Sequence, residues 1–315
     1  MNNFTSIDDV ADPLGLIQKT LDIKKNPLAD SDLGKHKTLG LVFFNSSLRT
    51  RMSTARAAFN LGMNVMVLNV NSDSWQLEFE DGTKMDGGSA EHIKEAVPVI
   101  SSYCDIIGVR SFPGLLDREE DYSEKVLNAF KEFGTCPVVN LESATLHPLQ
   151  SLTDMVTIEE QRKSVRPKVV MTWAPHIKAL PQAVPNSFLQ WGNNMDYDLT
   201  VVQPRGLDLP GEFVGNAKVE YNQLEALKGA DFVYVKNWSS YKTYGQVVHL
   251  PDWQITLEKL KATRQAKLMH CLPVRRNVVI ADDALESEHS IVIQQAENRL
   301  YSAQAVLREI LTKIK

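Results

Sequence analysis

Phe43-Phe44-Asn45-Ser46-Ser47-Leu48-Arg49-Thr50-Arg51 is the stretch on which the architecture turns. β-forming residues run from 38 to 44, a small polar turn stops them, and a helix-like run follows from 52 to 61. At such a junction the free N–H groups and the positive dipole end of the new helix point at one spot. Ser47, Arg49 and Thr50 can add charge-assisted hydrogen bonds there. Two readings fit this stretch alone. One is a capped helix whose arginines face water; the other is a pocket for a phosphate or a phosphorylated small molecule.

The same alternation recurs along the chain. Short strand-like runs are expected at 39–44, 64–68, 105–109 and 137–139, then at 168–173, 199–202, 231–235, 267–269 and 290–293. Helical runs lie between them at 91–103, 122–133, 149–160, 182–190 and 221–227. Strands alternating with longer helices predict an α/β fold with parallel sheets and helices on their faces. The strands divide into two sets around 149–160, which places a domain boundary near residue 150. The last segment, 297–315, is amphipathic and suited to packing back on the first domain.

With 315 residues the chain is long for one core and comfortable for two domains. Hydrophobic residues are 43% and charged residues 23%, an ordinary globular mix. Its 39 acidic and 34 basic side chains leave a formal charge of −5, which argues against bulk nucleic-acid binding. No apolar run reaches the roughly 18 residues of a membrane span. Met1-Asn2-Asn3-Phe4 lacks a basic leader before an apolar stretch, so a cytoplasmic protein is expected. Cys104, Cys136 and Cys271 are odd in number and widely spaced, without metal-type pairing. The glycine-rich piece 81–88 lacks the G-x-G-x-x-G spacing after a strand, and no G-x-x-x-x-G-K-[ST] loop is present. A dinucleotide or nucleoside triphosphate is therefore not expected.

In open α/β sheets ligands gather at the carboxyl ends of strands. Arg110 directly follows the run 105–109. His147-Pro148-Leu149-Gln150 follows 137–139 and opens a helix, and His270-Cys271-Leu272-Pro273 follows 267–269. Arg299 is expected to begin the final helix. Each singly has a plain structural explanation, but all four suit anions and carbonyl oxygens.

Taken in order, Ser-x-Arg-Thr-Arg, an Arg after a strand, His-Pro-x-Gln, His-Cys-Leu-Pro and Glu-Asn-Arg resemble the aspartate/ornithine carbamoyltransferases from about Leu39 to the C-terminus. The resemblance implies two doubly wound parallel-sheet domains: 1–150 for carbamoyl phosphate, 151–296 for the amino acid, and a helix 297–315 returning to the first. It implies that Ser47, the backbone of Leu48, Arg49 and Thr50 hold the phosphate, with Arg299 completing the anion site. Arg110 and His147 would polarise the carbamoyl oxygen. Gln150 and the carbonyls near Cys271 and Leu272 would accept from the carbamoyl NH2. No cofactor and no metal are implied. A cytoplasmic homotrimer of arginine biosynthesis, with active sites shared between subunits, is.

The departures bear on the acceptor. Family members acting on free ornithine carry an acid after the Ala-Asp-x-x-Tyr strand, then Ser-Met-Gly. Here Gly229-Ala230-Asp231-Phe232-Val233-Tyr234-Val235 leads to Lys236-Asn237-Trp238-Ser239-Ser240-Tyr241. A cation cannot hold an ammonium at contact distance, whereas it can hold a carboxylate or an amide carbonyl. An acceptor with a blocked α-amine follows, which resembles the N-acylornithine carbamoyltransferases. That likeness implies acceptor contacts from His176, Lys236 and Arg276, with Glu142 beside the reactive amine and Trp75 reaching in from a neighbouring subunit. Ala90 matches the position that discriminates acyl groups. Being uncharged, it cannot repel a succinyl carboxylate, so N-succinyl-L-ornithine is expected over N-acetyl-L-ornithine. The competing expectations are an ordinary ornithine carbamoyltransferase and a non-catalytic phosphate-binding protein on the same fold.

Overall fold

Apolar runs buried on both faces form the central strands of both sheets in the computed structural model, which describes residues 1–70 and 72–314. The chain divides into two compact units. The first comprises Met1–Pro113, Glu120–Leu149 and Arg299–Lys315; the second comprises Gly114–Glu119 and Gln150–Asn298.

The first unit contains β1 (Thr38–Phe43), β2 (Asn64–Asn69), a short pair β3 (Leu77–Glu78) and β4 (Glu91–His92), β5 (Ile106–Arg110) and β6 (Val138–Glu142). Its main sheet is parallel, in the order β2-β1-β5-β6. Val42, Ile107, Val109 and Val138 join Ile93, Val97, Leu127 and Phe130 of the helices Ile93–Ser102 and Lys125–Phe133 in one buried cluster. Alternate residues Leu39, Leu41 and Phe43 are buried too, as a sheet covered on both faces requires. The returning C-terminal helix packs on this unit, where Asn60 Nδ2 donates to Gln304 Oε1 at 2.9 Å and Arg308 Nε to Asp30 at 2.6 Å.

One irregularity in this sheet matters for the site. Val109 pairs with Asn140, but the next residue, Arg110, pairs with Glu142, so β6 carries one extra residue. The skipped residue, Leu141, lies over Gly108, where a Cβ would meet its Cδ1 at 2.9 Å. Glycine at 108 therefore lets the register slip, and the slip sets Arg110 opposite Glu142.

The second unit contains β7 (Lys168–Trp173), β8 (Asp198–Val202), β9 (Lys218–Glu220), β10 (Phe232–Lys236) and β11 (Lys267–Met269). They form a parallel sheet in the order β11-β10-β7-β8-β9. Val170, Val233, Val235, Leu268, Ile255 and Ile280 belong to its core.

Several expectations need correction. Residues 290–293 are not a strand: Ser290 makes one isolated bridge to Leu268, and the helix Val292–Leu311 begins at once. The β-branched run Ile291-Val292-Ile293 reads as β by propensity. Burial instead follows the helical spacing 292, 295, 299, 302, 303 and 306. Arg299 is consequently seven residues inside this helix, not at its start. The expected helix 297–315 thus begins earlier and ends at Leu311, and its last residue, Lys315, lies outside the described residues. The helix expected at 122–133 is two, Arg118–Tyr122 and Lys125–Phe133. β9 and the pair β3–β4 were not expected, and neither was the helix Pro13–Lys25, capped by Asp12.

Candidate active site

The first unit gathers the candidate residues 47–50, Arg110, Glu142 and His147 at the carboxyl ends of β1, β5 and β6. The turn 44–48 leads from β1 into the helix Arg49–Asn60. Leu48 takes the N-cap position and has no side-chain acceptor to offer the first N–H groups of that helix. Those N–H groups and the dipole are accordingly disposed toward an anion. Ser47 and Arg49 are half-buried and Thr50 is buried. Arg299 Nη2 donates to Thr50 Oγ1 at 2.6 Å, which brings the guanidinium to the same helix start although it comes from the middle of the last helix.

Arg110 is 6% exposed and stretched between two anchors. Its Nε and Nη2 lie 3.3 and 3.1 Å from Glu142 Oε2, and its Nη1 donates to the carbonyls of Asn45 and Ser46 at 3.0 and 2.8 Å. The guanidinium also stacks on Phe112, 4.0 Å from the ring centroid. His147 Nε2 lies 3.7 Å from the same Glu142 oxygen. Arg110, Glu142 and His147 thus form one buried group beside the turn 44–48. Trp75 is exposed, its Nε1 donating to Glu91 at 2.8 Å, and Ala90 N donates to Gln76 O at 3.0 Å. Both residues are held beside the β3–β4 pair.

The second unit carries a buried chain of hydrogen bonds. Asp154 Oδ1 accepts from Gln150 Nε2 and Gln295 Nε2, each at 2.7 Å. Gln295 Oε1 accepts from His270 N at 2.8 Å, and His270 Nδ1 accepts from Leu272 N at 2.8 Å. Gln150 and the segment 270–272 are therefore tied together. Leu272 has φ of 54°. Tyr234 is fully enclosed beside them; burial first, then Asp154 and Cys271, pushes its hydroxyl far above the usual tyrosine range.

Lys236 ends β10 and is 8% exposed. Its surroundings are locked by Ala174 N donating to Lys236 O at 3.1 Å, by Asn237 Nδ2 donating to Ala174 O at 2.6 Å, and by Trp173 Nε1 donating to Trp238 O at 2.9 Å. His176 follows β7. Burial, together with the positive charges of Lys236, Arg275 and Lys178, holds its pKa below the ordinary 6.5. Arg275 Nε donates to His176 Nε2 at 3.2 Å, while Nδ1 accepts from Lys178 N at 3.1 Å and lies 2.9 Å from the Lys178 carbonyl.

Arg276, the arginine expected at the acceptor, is directed elsewhere. Its Nη1 is taken up by Asp282 at 2.8 Å and Glu286 at 2.7 Å. The arginine brought to His176 is Arg275, which sequence reasoning passed over. Adjacent arginines in a loop offer no periodicity that says which one meets His176. Among the described residues, no group of three or more His, Cys, Asp or Glu side chains could hold a metal ion. Among them also, no helix is long and apolar enough to cross a membrane.

Residues 2–160 match the aspartate/ornithine carbamoyltransferase carbamoyl-P binding domain, and residues 181–310 match the Asp/Orn binding domain. The chain belongs to the aspartate/ornithine carbamoyltransferase family. It is 51% identical, over 99% of both chains, to the N-succinylornithine carbamoyltransferase of Bacteroides thetaiotaomicron. It is 35% identical to the N-acetylornithine carbamoyltransferase of Xanthomonas axonopodis pv. citri, over 92% of this chain and 90% of that one. A crystal structure of an N-acetyl-L-ornithine transcarbamylase variant complexed with PALAO superposes with a TM-score of 0.93 at 33% identity, covering 98% of this chain and all of that one.

Proposed function

We propose that this protein transfers the carbamoyl group of carbamoyl phosphate to the side-chain amine of an N-acylated ornithine, with N-succinyl-L-ornithine preferred to N-acetyl-L-ornithine. The observation that carries this is Lys236, a buried cation at the end of β10, close enough to His176 to depress its pKa and accompanied there by Arg275. Two cations beside His176, Lys236 and Arg275, repel an α-ammonium and favour acyl oxygens and carboxylates. Relatives of the same length named N-succinylornithine carbamoyltransferase support the reading, at 51% and 50% identity. An ornithine carbamoyltransferase from Methanococcus vannielii is 29% identical.

In the reaction, the neutral δ-nitrogen attacks the carbamoyl carbon. A C–N bond forms, the C–O bond to phosphate breaks, and the nitrogen releases a proton as phosphate leaves. Ser47, Arg49, Thr50 and Arg299, with the backbone at Leu48, hold the phosphate against the helix start. Arg110 and His147 stabilise the negative charge growing on the carbamoyl oxygen. Gln150 and the carbonyls of Cys271 and Leu272 accept from the carbamoyl NH2, and Glu142 stands by the attacking amine. His176, Lys236 and Arg275 hold the acylated end, and Arg276 acts only in its own ion pairs. Phosphate release on mixing the protein with carbamoyl phosphate and N-succinyl-L-ornithine tests the reading directly.

The assembly proposed is a homotrimer whose sites borrow Trp75 from a neighbour, with Ala90 beside it setting acyl preference. Its support is an exposed apolar strip in the first unit: Leu48, Met52 and Phe59 along one side of the helix Arg49–Asn60, and Met66 on the edge strand β2. An apolar strip next to an open sheet edge favours burial against another copy.

A further inference from the structure

Glu124 sits where its own helix has little use for it. It is the N-cap of Lys125–Phe133, yet its side chain makes no capping bond, and its backbone is left-handed, with φ 52° and ψ 37°. That conformation is disfavoured for a residue with a Cβ. An outlier of this kind persists where the surroundings hold it.

What holds it is the turn after β6. Glu124 Oε1 accepts from Ser143 Oγ at 2.7 Å, from Thr145 N at 2.7 Å and from Thr145 Oγ1, and Oε2 accepts from Ala144 N at 3.3 Å. From the other side Asn140 Nδ2 donates to Ser143 Oγ at 2.9 Å, and Ser143 N donates to Leu146 O at 2.9 Å, closing the turn. An ionised carboxylate is an acceptor only and makes stronger hydrogen bonds than a neutral group. The clamped turn joins Glu142 to His147, whose side chains meet at 3.7 Å.

We propose that Glu124 is a positioning residue for carbamoyl transfer: by accepting four donors from residues 143–145 it sets the separation of Glu142 and His147. Its hydrogen bonds end on residues 143–145, so its effect on Glu142 and His147 passes through the turn. This rests on the function proposed above for Glu142 and His147.

The test compares Glu124→Gly, which suits the left-handed backbone while deleting the carboxylate, with Glu124→Gln, which keeps a carbonyl oxygen for the Oε1 donors. Expected for Glu124→Gly is a fall in kcat per titrated active site of about tenfold or more, with KM for the acylated acceptor within about twofold. Glu124→Gln recovers most of the rate. Ser143→Ala combined with Thr145→Val, which removes donors instead of the acceptor, lowers kcat in the same direction. NMR of the unliganded Glu124→Gly protein shows displaced His147 imidazole signals. A kcat per site within about twofold of the parent in Glu124→Gly, or unmoved His147 signals, would overturn the proposal. If the parent protein transfers no carbamoyl group at all, the functional reading fails separately and the His147 signals alone decide the positioning claim.

Discussion

Arg275 Nε donates to His176 Nε2 at 3.2 Å, while the next residue in the chain, Arg276, is bound by Asp282 and Glu286. Two adjacent arginines thus have different partners. Arg275→Ala is expected to raise KM for the acylated acceptor by about tenfold or more, the loss of one charge-assisted contact. Arg276→Ala is expected to leave that KM within about twofold, because an exposed ion pair contributes little. Steady-state kinetics of the two variants side by side decides the assignment.

The same geometry sets a pH response. His176 has a folded pKa below the ordinary 6.5, so as pH falls through 6.5 the unfolded chain takes up a proton that the folded chain does not. Stability is therefore lost on acidification from 6.5 down to the lowered folded value, and this contribution is flat above 6.5. His176→Gln should lack the increment. Urea unfolding of both proteins at about pH 7.5 and about pH 5.5 measures it, and equal pH dependence in the two would contradict the lowered pKa of His176.

Lys236→Asp reverses the charge at the end of β10. It should weaken use of the acylated acceptor strongly while carbamoyl phosphate binding stays near the parent value. Calorimetric titration with carbamoyl phosphate, set beside acceptor KM, separates the two. Equal loss of both would make Lys236 a structural lysine.

Arg110 carries a double expectation. Arg110→Ala removes the partner of buried Glu142, for which about 3–5 kcal/mol of stability is typical. It also removes a donor to the developing oxyanion, worth about 3–4 kcal/mol in turnover. Denaturation together with kcat tests both, and an effect confined to acceptor KM would contradict the role in polarising the carbonyl.

How much of this was legible beforehand differs from residue to residue. The eight strands at 38–43, 64–69, 106–110, 138–142, 168–173, 198–202, 232–236 and 267–269 lie within a few residues of their expected places; seven are mostly buried and read as near-continuous apolar runs, while the edge strand at 64–69 is only partly buried and shows by its β-branched and apolar residues. Residues 290–293 misled because β-branched propensity and helix burial point in opposite directions there. β3 and β4, two residues each, carry no period to detect. Lys236 was legible as a charge standing where an acid was expected. Arg275 was not, since only its hydrogen bond to His176 and the ion pairs of Arg276 with Asp282 and Glu286 tell the two arginines apart. Glu124 gave no signal, because neither its backbone angle nor the turn 143–145 it holds is written in local spacing.

Acceptor preference tests the central claim most directly. Initial rates of carbamoyl transfer would be measured with L-ornithine, N-acetyl-L-ornithine and N-succinyl-L-ornithine at equal concentration. The account predicts the highest kcat/KM with N-succinyl-L-ornithine and negligible transfer to free ornithine. Fastest transfer to free ornithine would contradict it.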